Sequence, residues 1–229
     1  MIICHSRRFV FVHLHKTAGE SITLTLRPAL VDGDLEVRNT PKVAVNGTLL
    51  GKHSTAGEAR TALGSEVWER YFTFSFVRHP FDRTLSLYHY IADWSEPPKL
   101  SLGQRLGLRS VPKWDDRSNW PEVRAYRATR SVSEFIRHPA LDNAPGRRLQ
   151  ATSLCDADGN LLVEFVGRFE QLALDVAHVQ ETVGLPDVPL RSANVSRRRT
   201  TVDTALSRDD RAYLAARFEE DFERFGYRP

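Results

Sequence analysis

Six consecutive residues, Lys16-Thr17-Ala18-Gly19-Glu20-Ser21, put a lysine, a glycine and two hydroxyl side chains into one short turn. An apolar, β-rich run at 9–13 leads into this turn, and a helical pattern from 20 to about 26, stopped by Pro28, leads out of it. A strand, a tight turn and a helix start together make an anion site. Unpaired N–H groups point out of the helix N-terminus, and the helix dipole adds partial positive charge there. Lys16 supplies a full charge, Thr17 and Ser21 supply hydroxyl donors, and the backbone of 17–21, through Ala18, Gly19 and Glu20, supplies N–H groups. The carboxylate of Glu20 suits the dipole at a helix start. His13 and His15 flank the turn, with His15 inside the loop and within reach of a ligand. The P-loop order G-x-x-x-x-G-K-S/T is absent, because Lys16 precedes Gly19.

A second cation stands at a second strand end. Residues 72–77, FTFSFV, read as a buried strand closed by Arg78-His79-Pro80, with Pro80 as the first residue of the next helix. Ligands of open parallel sheets bind at the carboxyl ends of strands, where this strand delivers Arg78. Ser86 lies eight residues on, two turns into the helix, so that Arg78 and Ser86 converge on one anionic group. Two such sites suit a ligand phosphorylated at both ends of a ribose. Asp82 and Arg83 read as local helix charge pairs.

The remaining elements must position these residues. Thr55 and Glu58 have capping-box spacing and predict a helix to Leu63 ended by Gly64, followed by a short helix at 65–70. Residues 32–52 read as a hairpin or loop. The helix from Pro80 carries Phe81, Leu85 and Tyr88 on one face. Residues 93–130, with four prolines and three tryptophans, read as a long excursion with one short helix, extending to 147 as an acceptor-binding lid. Ser131 and Glu134 cap a further short helix. Residues 152–156 and 161–166 read as two hairpin strands turned at Asp158-Gly159, 172–183 as an amphipathic helix, and 207–225 as one last helix capped by Ser207. Helices alternating with strands predict one α/β domain with a mainly parallel sheet covered on both faces.

With 229 residues, 41% hydrophobic and 27% charged, the chain has the size and composition of such a domain. A net charge of +3 is too small to demand a polyanionic partner. Only five of the basic residues are lysines (Lys16, Lys42, Lys52, Lys99 and Lys113), and arginine's planar fork suits phosphate and sulfate. Cys4 and Cys155 supply neither a disulfide framework nor a metal site, and no cluster of acidic ligands argues for a metal. No signal-peptide pattern opens the sequence and no apolar run approaches the roughly 20 residues of a membrane span. The expectation is a cytoplasmic protein.

Residues 9–21, FVFVHLHKTAGES, resemble the 5′-phosphosulfate loop of sulfotransferases that use 3′-phosphoadenosine 5′-phosphosulfate (PAPS) to modify carbohydrates and related acceptors. Residues 74–88, FSFVRHPFDRTLSLY, are similar to that family's 3′-phosphate segment. GKHSTA at 51–56, FVGRFE at 165–170, Asn194-Val195-Ser196 and DFERFGY at 221–227 agree in order, so the resemblance covers most of the chain apart from 28–48 and 93–147. Three positions depart from the family pattern: His15 replaces a usual proline, Glu20 a small hydroxyl residue and His79 a common asparagine.

The resemblance implies a three-layer, P-loop-like α/β fold and in-line transfer of a sulfuryl group from PAPS to an acceptor hydroxyl on a sugar, glycolipid or small-molecule alcohol. It implies that Lys16 stabilises charge on the bridging oxygen of the leaving 5′-phosphate, which the loop holds. Arg78 and Ser86 then hold the 3′-phosphate, and the base histidine corresponds to His53, with His13 and His15 next in line. A sulfuryl group carries less charge than a phosphoryl group, so no metal is required. Arg198 or Arg199 closes over the 3′-phosphate, or Arg197-Arg198-Arg199 is a solvated basic loop; both readings stand. Arg168 and Glu170 either border the nucleotide or anchor their strand. A small-molecule kinase needs a P-loop and a Mg²⁺-binding carboxylate at a strand end, and neither is visible. A nucleic-acid binder needs a basic face interleaved with aromatics, whereas here the aromatics lie on apolar faces. A non-catalytic nucleotide binder has no need of both Lys16 and His53.

Overall fold

The computed structural model describes residues 1–95, 101–106, 108, 110, 117–186, 188–191 and 202–229. The first half of the chain forms β1 (Ile2–Cys4), β2 (Phe9–Val12), α1 (Gly19–Leu26), β3 (Leu35–Glu36), β4 (Val43–Val45), β5 (Thr48–Leu50), α2 (Ala56–Leu63), α3 (Ser65–Arg70), β6 (Phe72–Val77) and α4 (Pro80–Trp94). The second half adds α5 (Leu102–Arg105), α6 (Pro121–Ala128), α7 (Val132–Ile136), α8 (Gln150–Leu154), β7 (Phe165–Arg168), α9 (Leu172–Thr182), α10 (Val202–Ala205), α11 (Arg208–Arg217) and α12 (Glu219–Arg224).

The central sheet has the order β3-β1-β2-β6-β7. β2, β6 and β7 pair in parallel, and β1 runs antiparallel to both β2 and β3. β1 therefore opposes four strands that share one direction, which gives a mixed α/β, mostly parallel sheet flanked by helices. The FVFV run of β2 is buried at every position because its two faces serve two cores. Val10 and Val12 pack with Ala56, Ala59 and Leu63 of α2. Phe9 and Phe11 pack with Ile22 and Leu26 of α1 and with Val176 and Val179 of α9. Val12 pairs with Ser75, so the carboxyl ends of β2 and β6 lie side by side and bring the 13–18 turn next to Arg78.

The helix starts follow the sequence reading. Thr55 and Glu58 form a reciprocal capping box on α2, Pro80 opens α4, the Ser131 side chain caps α7, and Ser207 caps α11 in a box with Asp210. Residues 43–50 form the β4–β5 hairpin, turned by Asn46 and Gly47 with φ values of 46° and 82°.

Three expectations need correction. Residues 152–156 are not a strand, because the buried Asp221 carboxylate accepts from the N–H groups of Gln150 (3.1 Å) and Ala151 (2.8 Å) and starts α8 there. Of the expected hairpin only the turn and a Cys155–Leu161 bridge form, and β7 begins at Phe165, parallel to β6. The last helix breaks at Phe218 (φ −116°, ψ 23°) into α11 and α12, and Phe218 and Phe222 reach the same cluster as Phe81 and Leu85 of α4. The excursion holds more helix than expected, with α4 running on to Trp94 and α5 and α6 beyond it. Among the described residues no helix is long and apolar enough to cross a membrane.

Candidate active site

The turn between β2 and α1 is strained as well as polar. Lys16 and Ala18 adopt left-handed backbone with φ of 65° and 64°, a conformation that costs a non-glycine residue about 1–2 kcal/mol. Surrounding bonds hold it. Arg83 Nε donates to the His15 carbonyl (3.1 Å) and Arg78 Nη1 to the Lys16 carbonyl (3.2 Å). The Thr17 hydroxyl is fully buried and donates to the Leu14 carbonyl (3.3 Å), so what Thr17 offers a ligand is its backbone. Gly19 is required by packing: a Cβ there would stand 2.2 Å from the His13 ring. Ser21 lies buried in the first turn of α1. Glu20 pairs with Lys52 at 2.5 Å, which ties its carboxylate to a cation outside the turn.

Lys16 and Arg78 are neighbours. Besides its bond to the Lys16 carbonyl, Arg78 donates from Nε to Asp82 (2.6 Å), and its guanidinium lies 3.7 Å over the Phe169 ring. Its backbone is clamped on both sides by one side chain: Gln150 Oε1 accepts from Arg78 N (2.9 Å) and Gln150 Nε2 donates to Arg78 O (3.0 Å). The Lys16 ammonium lies 3.9 Å from the Tyr90 ring centroid. Burial above all, then the charge of Arg78, lowers its pKa from 10.5 to about 8. Ser86 sits half-buried on α4, two turns beyond Arg78. Arg198 and Arg199 lie outside the described residues.

Three histidines stand beside this pair. His53 Nδ1 lies 2.9 Å from the His13 carbonyl, which can only accept, so Nδ1 carries the proton and Nε2 keeps a free lone pair. His15 stacks on His53 with centroids 3.6 Å apart, and His13 meets the same ring edge-on at 4.8 Å. Burial lowers the pKa of all three: His53 to about 4, His15 to about 2, and His13 well below its ordinary value. All three are neutral at pH 7. His13, His15 and His53 line one cleft, whose other polar walls are Ser54, Arg83, Arg148 and Ser153.

Arg83 is not half of a local charge pair, since Asp82 serves Arg78. Its buried guanidinium donates to the carbonyls of His15, Gly146 (3.3 Å) and Arg148 (2.7 Å) and approaches Asp221 (3.9 Å). It thus ties the anion turn to the 145–148 wall of the cleft. Arg168 and Glu170 are anchors. Arg168 donates to the Phe225 carbonyl, while Glu170 accepts from His79 N (2.8 Å) and from the Tyr227 hydroxyl (2.9 Å). Sequence reasoning missed Gln150, Asp221 and Tyr90. Asp221 lies within a recognised motif, DFERFGY, whereas nothing local to Gln150 signals its bond to a residue 72 positions away. Among the described residues no cluster of His, Cys, Asp and Glu could hold a metal ion.

No curated protein and no solved structure matches this chain significantly. A model described as the sulfotransferase family matches residues 1–228 and leaves only the last residue outside. The chain belongs to the sulfotransferase family.

Proposed function

We propose that this protein moves a sulfuryl group from PAPS to an acceptor hydroxyl, in a three-layer, P-loop-like domain spanning residues 1–229. The observation that carries the reading is the placement of Lys16 and Arg78 at adjacent parallel strand ends, bonded to one another, with the free Nε2 of His53 close to the same turn. The donor-rich turn fits a phosphate ester, and a cation at each strand end fits a ligand carrying two such groups.

When bound, PAPS supplies the activated sulfuryl group. Lys16 neutralises the charge that develops on the bridging oxygen of the leaving 5′-phosphate, and the N–H groups of 17–21 with the Ser21 hydroxyl hold that phosphate. Arg78 and Ser86 hold the 3′-phosphate, with Arg198 or Arg199 closing over it. His53 Nε2 takes the acceptor's proton while its Nδ1–H, bonded to the His13 carbonyl, keeps the ring oriented. Displacement is in line, and the protein contributes positioning and charge. The acceptor is a sugar, a glycolipid or a small-molecule alcohol, bound in the cleft beside His53 and against residues of the 93–147 excursion. Two free cysteines support a cytoplasmic place of work.

The test is incubation with labelled PAPS and a panel of hydroxylated acceptors, with mass spectrometry for an added sulfonate. Lys16→Ala should lower turnover about 10²–10³-fold with the melting temperature unchanged. Thermal stabilisation by Mg-ATP but not by 3′-phosphoadenosine 5′-phosphate would instead mark a kinase.

A further inference from the structure

The site face of α4 carries a residue with no role so far. Arg83, Ser86 and Tyr90 follow at i, i+3 and i+7 and share one face, opposite the core-facing Phe81 and Leu85. Arg83 holds the turn before α1, Ser86 has the 3′-phosphate role proposed above, and the Tyr90 ring lies under the Lys16 ammonium at 3.9 Å. Among the described residues that ammonium makes no ion pair, and Asp93 acts on it only at a distance.

We propose that Tyr90 is a positioning residue for Lys16 and that Arg117 fixes Tyr90 in that task. The proposal rests on the catalytic role given to Lys16 above. A ring face attracts a cation through its quadrupole yet adds no negative charge. A carboxylate in the same place would cancel the charge that an anion site needs. Tyr90 therefore restrains the four-carbon stem of Lys16 and leaves its charge available to a phosphate ester. The ring is itself held. Arg117 Nη1 donates to the Tyr90 hydroxyl (2.9 Å), and the Arg117 guanidinium lies 3.5 Å over Trp94 and 4.5 Å over Trp120. Arg117 and Trp120 belong to the excursion, so that segment supports the nucleotide side of the site as well as the acceptor side.

The chain has five lysines, which makes carbon-13 lysine labelling decisive. In the nucleotide-free protein the ε-methylene signal of Lys16, assigned by its loss in Lys16→Gln, should be ring-current shifted. Tyr90→Leu should abolish that shift, whereas Tyr90→Phe and Arg117→Gln, which both lose the bond between Arg117 and the Tyr90 hydroxyl, should only reduce it. Turnover of labelled PAPS with water as the only acceptor should fall about tenfold in Tyr90→Leu and less than about threefold in Tyr90→Phe, with affinity for 3′-phosphoadenosine 5′-phosphate held within about threefold in both. An unshifted Lys16 signal in the wild-type protein, or wild-type turnover in a folded Tyr90→Leu protein, overturns the proposal. Normal turnover in Lys16→Gln with the ring-current shift present in the wild type removes the function assigned to Lys16, and the positioning role with it, while the contact stands.

Discussion

His53 shows how one side chain's surroundings set its chemistry. Burial drops its pKa to about 4, so the imidazole is neutral and able to accept a proton far below the usual histidine range. A base of ordinary pKa would give kcat/KM an acid limb near pH 6.5, whereas this one should place the limb near pH 4, in a profile taken with PAPS and acceptor both limiting so that the ligand-free enzyme is what titrates. His53→Ala should lower turnover by about 10²–10⁴-fold and remove that limb. Full activity in this variant across the pH range would exclude His53 as the base. Gly19 makes the complementary point about space. With the His13 ring 2.2 Å from any added Cβ, Gly19→Ala must displace the ring or the turn, and bisphosphate binding followed by calorimetry should weaken with it.

At the scale of elements, α8 is the piece that holds Arg78, and with it the proposed 3′-phosphate site. Its first N–H groups are capped by Asp221 of α12, and its first side chain, Gln150, clamps the backbone of Arg78. Asp221 is fully buried and also faces Arg83, so Asp221→Ala leaves buried donors and a guanidinium without a counter-charge. The expected cost is about 3–5 kcal/mol in a denaturant titration. Affinity for 3′-phosphoadenosine 5′-phosphate should fall too, because Gln150 loses its own anchor. A loss below about 1 kcal/mol would show that α8 does not depend on this cap.

Over the whole molecule, three neutral histidines make stability pH-dependent. The folded pKa values of His13, His15 and His53 are all depressed, whereas unfolded histidine titrates near 6.5. Below that value the unfolded chain binds more protons than the folded one, so stability falls as pH drops from about 6.5 toward 4. The depressed carboxylates act below their ordinary values, 3.8 for Asp34 and Asp210 and 4.5 for Glu36, while the Met1 amine, lowered by burial from 8.0 to about 4, adds to the decline across the histidine window. The melting temperature should decline through the window, and His53→Gln should flatten the decline by up to one proton. An unchanged slope in that variant would mean that His53 is charged in the folded protein.

The local pattern of the chain determined the β2 and β6 runs, the Lys16–Ser21 turn, the delivery of Arg78 to a strand end and the caps at Thr55 and Ser207, because each rests on neighbours within a few positions. The adjacency of the two cations followed only from the parallel pairing of β2 with β6, which joins residues 63 positions apart. The helical state of 150–154 and the inward turn of Arg83 were likewise decided by tertiary structure. Residues 152–154 carry no cap of their own, so a buried carboxylate 70 residues away, at Asp221, chose helix over strand. Arg83 lies on an ordinary-looking helix, and the convergence of three carbonyls from two loops, with the Asp221 carboxylate 3.9 Å away, makes burial of its charge tolerable.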